Sequence, residues 1–293
     1  MKSPLLSSQR KKLHADLLNS LLTTDANGTP NISDSSSKTS IDIGKSMVAL
    51  MGSSIKAVRA AGQKSGNEFE FVIADFIKST FCKMAHIRPG TWRVLPDKTS
   101  KARTITDYVQ YEHISALNTL LEEHPSLKAS LGAEYLIKPD VVVLRKPESD
   151  GALNANQPLV GRDTSTLTPL RLSNYSKNSD PWILHASISC KWTLRSDRAQ
   201  NARSEALNLI RSRKGRVPNI AAVTAEPLPM RLASLAMGSS DLDCVYHIAL
   251  DELIAATKAF SAGGHSEQLE TLQMLVEGKR LRDISDLPLD LAI

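Results

Sequence analysis

The chain has little cysteine and none of the common paired metal-ligand spacings. Among its 293 residues only Cys82, Cys190 and Cys244 are cysteine, an odd number, scattered, with no C-x-x-C pair. That pattern argues against a disulfide framework and against a structural zinc site. The seven histidines include no H-x-x-x-H spacing, which argues against a zinc protease helix. No segment approaches the ~18 uninterrupted apolar residues of a membrane span. The start, "MKSPLLSSQRKKLHADLL", carries its basic cluster after the first leucines and lacks the apolar run of a signal peptide. A cytoplasmic protein is expected. No internal repeat is present.

Hydrophobic residues make up 41% of the chain, enough to bury a sizeable core at this length. Thirty-six Lys and Arg against 31 Asp and Glu leave a charge of +5, a mild lean toward a polyanionic partner that many housekeeping enzymes share.

Residues 4–22 read as an amphipathic helix. The polar stretch 23–40, "TTDANGTPNISDSSSKTS", reads as a loop, either a linker or an ordered binding arm. Helices are expected over 41–60, over 65–85 with Ser65 as N-cap, and over 104–123. In the third of these, Phe69, Val72, Ile73, Phe76, Ile77 and Phe81 recur at helical spacing. Then the period changes. "AEYLIKPDVVVLRK", "ILHASISCKW", "NIAAVTAE" and "DCVYHIAL" read as strands, the third followed by a short helix near 229–237. Helices over 251–261 and 266–277 and a tail packed on the body complete the chain. The polar segment 147–180 exceeds the ~15 residues beyond which connections are usually functional or disordered. The fold class is α/β: a central mixed β-sheet flanked by helices, with a helical N-terminal half, in one domain over 1–293.

In an alternating strand Lys191 shares a face with Ser189 and Ser187, while Ile188, Cys190 and Trp192 face the core. Asp140 follows Pro139. If the two strands are neighbours, Asp140 and Lys191 meet at one end of the sheet. A carboxylate that holds Mg²⁺ and a lysine that orients water and stabilises phosphate charge are what phosphodiester hydrolysis needs. One carboxylate holds a hard cation poorly. Glu205, on the helix after Lys191, can supply what Ser189 cannot, and Glu70 sits beside the apolar Phe69. Each has a plainer reading. A Pro-Asp and a distant lysine occur by chance in many proteins. Glu205 alone is an ordinary helix residue, Glu70 can pair with Arg59 or a lysine, and Cys190 is a core residue. "RSDR", Arg195 to Arg198, opens the same helix. Arginine reads guanine and aspartate accepts from cytosine; equally, Asp197 and Gln200 make a capping box.

Those residues, with "GQKSGNEFE", "HIRPGTW", "LHASISCKWTLRSDRAQNARSEALNLIRSRKGR", "AVTAEP", "DCVYHIAL" and "GKRLRDISDLPLDLAI", resemble the CCGG group of type II restriction endonucleases, the Cfr-type and NgoMIV families of the PD-(D/E)xK superfamily. The resemblance extends over nearly the whole chain. It implies a restriction-endonuclease-like fold, Mg²⁺ dependence, and a homotetramer of two dimers holding two copies of double-stranded DNA. It implies GCCGGC as the site, cut after the first G to leave 5′ overhangs, within a restriction–modification system that includes a DNA methyltransferase. It makes Asp140, Glu205 and Glu70 metal-binding carboxylates, the Cys190 carbonyl a backbone ligand and Lys191 the catalytic lysine. Arg195, Asp197 and Arg198 become readers of the inner CCGG, Asp34 and Arg231 readers of the outer pair, and Gln63 a minor-groove residue. Departures fall in the N-terminal helix, in 92–104 and in 147–180, away from those residues. The alternatives are a sequence-specific DNA-binding protein without cleavage and a PD-(D/E)xK nuclease of different specificity.

Overall fold

Short β-branched runs form the centre of the molecule. The computed structural model describes residues 3–52, 62–97, 104–124, 126, 138–237, 241–264 and 266–293, with the side chains of 62–65, 117–118 and 196–198 outside the description. The N-terminal half contributes helices α1 (Leu5–Ser20), α2 (Lys38–Met51) and α3 (Gly62–Thr80), strand β1 (Trp92–Leu95) and helix α4 (Glu112–Glu123). There follow β2 (Val141–Arg145), a short α5 (Asp150–Leu153), β3 (Ile183–Lys191), α6 (Ser196–Ser212), β4 (Asn219–Thr224) and α7 (Pro229–Ala236). The chain closes with β5 (Cys244–His247), α8 (Leu250–Ser261), α9 (Ser266–Glu277), β6 (Leu281–Asp283) and α10 (Leu287–Asp290).

The six strands pair in sequence order. β1–β2 and β2–β3 are antiparallel; β3–β4, β4–β5 and β5–β6 are parallel. The expected mixed sheet flanked by helices is what forms. β2 and β4 are buried almost throughout because helices or loops cover both faces, which is why they read as unbroken apolar runs. β3 alternates at its end: Ser189 and Lys191 are partly exposed, Cys190 buried. On α3 the residues Phe69, Ile73, Phe76 and Ile77 are buried, and the helix packs against β1, β2 and β3. Phe69 meets Trp192 edge-on at 5.0 Å, which ties α3 to the end of the lysine strand. At the β6 edge of the sheet Arg10 of α1 reaches Glu252 Oε2 at 2.6 Å and Asp283 Oδ2 at 2.9 Å, joining the first helix to the last third of the chain.

Several expectations need correction. Ser65 is no N-cap: α3 begins at Gly62, so Ser65 lies within its first turn. The helix expected over 41–60 begins earlier, at Lys38, because Ser37 caps it by accepting the Ser40 N–H; residues 53–60 lie outside the described residues. Over 104–123, a 3₁₀ turn at Ile105–Asp107, closed by a Thr104–Asp107 capping box, precedes α4. The strand expected from 133 starts at Val141, and 131–137 lie outside the described residues. Asp197 is not the cap of α6: Arg195 occupies that position in extended conformation and makes no side-chain cap bond. β1 and β6, of four and three residues, are too short to show a period and exist through the strands they pair with. The 147–180 segment is ordered around Arg171, only 7% exposed. Its guanidinium holds both carboxylate oxygens of Asp150, each at 2.8 Å, and the carbonyls of Thr164 and Gly161. Among the described residues no helix is long and apolar enough to cross a membrane.

Candidate active site

The antiparallel register between β2 and β3 builds the site. Val141 lies opposite Ile188, so one step outward sets Asp140 against Ser189. Lys191, two residues beyond Ser189, projects from the same face. Asp140 Oδ2 therefore accepts from Lys191 Nζ at 3.0 Å and from the Cys190 backbone N–H at 2.8 Å, with Ser189 Oγ more distant at 3.4 Å. The pair is mostly shielded, the two side chains being 16% and 19% exposed.

Glu70 and Glu205 feel the same pair. Burial, and after it the charge of Asp140, push the Glu70 carboxyl up to about 7, against the opposing pull of Lys191. Burial raises Glu205 as well, with Lys191 opposing and Asp140 adding to the rise. Lys191 is itself raised: burial works against its charge, but Asp140 and Glu205 outweigh it. Three carboxylates and one ammonium thus share one field, an excess of negative charge in a half-buried place. No hydrogen bond or ion pair reaches Glu70 or Glu205 among the described residues. Nor do three His, Cys, Asp or Glu side chains there stand close enough to make a ready cage for a cation. The donor chemistry nevertheless fits a hard divalent ion. The groups are oxygens, and an added positive charge reverses the rise in Glu70 and Glu205. The Cys190 thiol is buried and held well above its ordinary range, first by burial and then by Asp140 and Glu70. It is neither nucleophile nor thiolate ligand, and only its backbone carbonyl remains as a donor.

The chain leaves β3 at this point and enters α6. Arg195 is exposed at the helix start, and Ala199, Ala202, Ala206 and Leu209 pack α6 onto the body. That packing holds the helix start at the rim beside Lys191. The side chains of Gln63, Asp197 and Arg198 lie outside the described residues. Arg231 on α7 is ion-paired with Asp34 in the early polar loop, so two residues far apart in sequence stand together. The Ser36 hydroxyl and N–H, and after them Arg231, hold the Asp34 carboxyl down at about 2.

One residue escaped the sequence reading. Glu226, in "AVTAEP", has no exposed surface. Its carboxylate accepts from the Leu194 N–H at 2.8 Å and the Leu228 N–H at 3.2 Å, and stands 3.9 Å from Arg231 Nη1. Burial pushes it up to about 7 against those two N–H groups and Arg231. The one signal in the sequence was an acid closing an apolar strand pattern, where a solvated residue is the ordinary expectation.

The profile of the NgoMIV restriction enzyme family matches residues 13–293. The type II restriction enzyme NgoMIV of Neisseria gonorrhoeae is 44% identical over 292 residues, 99% of this chain and 100% of that protein. Among solved structures, the restriction endonuclease PspGI in complex with its substrate DNA is similar at 15% identity and a TM-score of 0.30, over 98% of this chain and 92% of that one. With a family match over nearly its whole length and a full-length relative at that identity, the chain belongs to the NgoMIV restriction enzyme family.

Proposed function

We propose that this restriction enzyme hydrolyses double-stranded DNA at GCCGGC with Mg²⁺, cutting after the first G to leave 5′ overhangs. The observation that carries the reading is the Asp140–Lys191 pair, with Glu70 and Glu205 in the same field and a helix start bearing Arg195 beside it. Asp140, Glu205, Glu70 and the Cys190 carbonyl are the groups that would hold Mg²⁺, which when bound supplies an acidic water and positive charge against the phosphate. Lys191 steers the attacking water by hydrogen bonding and stabilises charge on the phosphate oxygens. Asp140 keeps the ammonium aimed through its 3.0 Å bond.

In this reading Arg195, Asp197 and Arg198 read the inner CCGG, and Gln63 reaches the minor groove. Arg231 donates to the outer guanine while Asp34 accepts from the paired cytosine. A palindrome suits a symmetric dimer in which each subunit takes one half-site. The assembly is a tetramer of two such dimers on two duplexes, each chain folding as one domain, in a cell that protects its own sites with a methyltransferase.

Digestion of plasmid with Mg²⁺ yields discrete fragments, and EDTA prevents it. Run-off sequencing of the ends then finds each strand cut after the first G of GCCGGC. Ends at every CCGG, whatever the flanking pair, overturn the outer-pair reading, and uncut plasmid overturns the whole.

A further inference from the structure

We infer that Glu226 is a positioning residue that locks the inner and outer base readers into one register on DNA. The inference rests on the base-reading roles proposed above and adds the group that connects them.

β3 and β4 run parallel, with Lys191 opposite Thr224, so the two chains leave the sheet side by side. One exit leads through Leu194 to Arg195 and α6. The other leads through Leu228 to α7 and Arg231. Glu226 stands between them, and its carboxylate bonds the backbone N–H of each exit. Its Oε2 faces Arg231 Nη1 at 3.9 Å, while Arg231 Nη2 engages Asp34. A continuous polar chain therefore runs from Leu194 through Glu226 and Arg231 to Asp34. A guanidinium hydrogen-bonded to one carboxylate and facing a second is restricted in how it can turn.

Burial makes the choice of residue informative. A fully buried carboxylate is costly, yet it alone offers an acceptor oxygen to each N–H: an amide turns a donor toward one of them and an apolar side chain leaves both unmet. When ionised it also places a second negative charge facing Arg231 and makes both backbone bonds charge-assisted. The backbone on the far side supports the arrangement: His247 Nε2 meets the Glu226 carbonyl at 3.2 Å, and the Glu226 N–H bonds Thr224 Oγ1 at 3.2 Å.

The test compares wild type, Glu226→Gln and Glu226→Asp on three duplexes: GCCGGC, ACCGGT with its outer pair changed, and an unrelated sequence. Glutamine keeps the volume but opposes one N–H with its own donor; aspartate keeps the charge one methylene short. The expected result is a drop of about tenfold or more in the preference for GCCGGC over ACCGGT, the size of one lost charged hydrogen bond. Affinity for the unrelated duplex and the thermal midpoint stay near wild type in at least the aspartate variant. A variant that binds and cuts every duplex worse by one common factor marks Glu226 as a packing residue and overturns the inference. So does a folded variant with wild-type selectivity. If glutamine prevents folding, the aspartate variant decides on the same criteria, and its failure to fold as well also overturns the inference. A wild type that cuts GCCGGC and ACCGGT equally sinks the base-reading assignment itself; a selective wild type beside equally selective variants sinks only this step.

Discussion

Lys191 Nζ and Asp140 Oδ2 stand 3.0 Å apart across an interval of 51 positions in the chain. The antiparallel register of β2 on β3 makes that meeting inevitable once Val141 pairs with Ile188. A one-residue slip would send Lys191 to the buried face and Cys190 to the site.

Lys191→Ala removes the ammonium and leaves Asp140 with the Cys190 N–H and the more distant Ser189 hydroxyl. The expected loss in single-turnover cleavage is roughly 10²–10⁴-fold, the range of a positioned acid–base or electrostatic group. Gel-shift affinity in EDTA should stay within a few fold. Cutting at the wild-type rate would show that the chemistry lies elsewhere.

Arg231→Lys keeps a positive charge but loses the fork that engages Asp34 and faces Glu226. Discrimination at the outer pair should fall by about 1–3 kcal/mol, while the salt dependence of binding to unrelated DNA hardly changes. The measurement is competition binding on duplexes differing in that pair alone. An equal loss on all of them contradicts the assigned role.

Arg10→Ala leaves Glu252 and Asp283, 17% and 16% exposed, without their shared cation. Arg10 holds Glu252 and Asp283 below their usual range despite burial. Breaking such a buried group should cost about 3 kcal/mol in urea unfolding. Lys12→Ala, at a pair 52% and 56% exposed, should cost less than about 1 kcal/mol. Equal effects would mean that the Arg10 cluster contributes no more than a surface ion pair.

His247 supplies a pH dependence. Burial holds its imidazole down at about 4. Nδ1 accepts the Ala249 N–H at 3.1 Å, which assigns the proton to Nε2, toward the Glu226 carbonyl. An unfolded histidine titrates near 6.5. Below that pH the unfolded chain takes up a proton that the folded one refuses, so this contribution to stability is present above about 6.5 and lost as pH falls toward about 4. Relative to His247→Gln, wild type should lose up to about 3 kcal/mol over that window. Urea midpoints of both proteins at pH 7 and pH 4.5 test it, and a gap independent of pH refutes it.

Local pattern decided what local physics can decide. The stripe Phe69, Ile73, Phe76 and Ile77 could bury itself only as one face of a helix, and it does so. The alternation through Ile188, Ser189, Cys190 and Lys191 set which side chains face the core before any partner strand was known. The helix boundaries were less legible, because caps depend on single backbone angles: Arg195, with no cap bond, precedes α6 where Asp197 had the better chemistry.

By itself, then, the sequence determined most of the helical and extended segments, the face on which Lys191 lies, and, through long stretches of shared motif, the family. Tertiary structure alone decided the rest. β1 and β6 exist because neighbours complete their hydrogen bonds, and Arg171 orders the long loop by collecting carbonyls scattered along it. Arg231 meets Asp34 across 197 positions, and Glu226 became a bridge only when two parallel strands delivered their exits to either side of it. The physical reason is common to all of these. Periodicity and propensity act over a few residues, whereas the partner of a buried charge is selected by whatever the folded chain brings within about 3–4 Å of it.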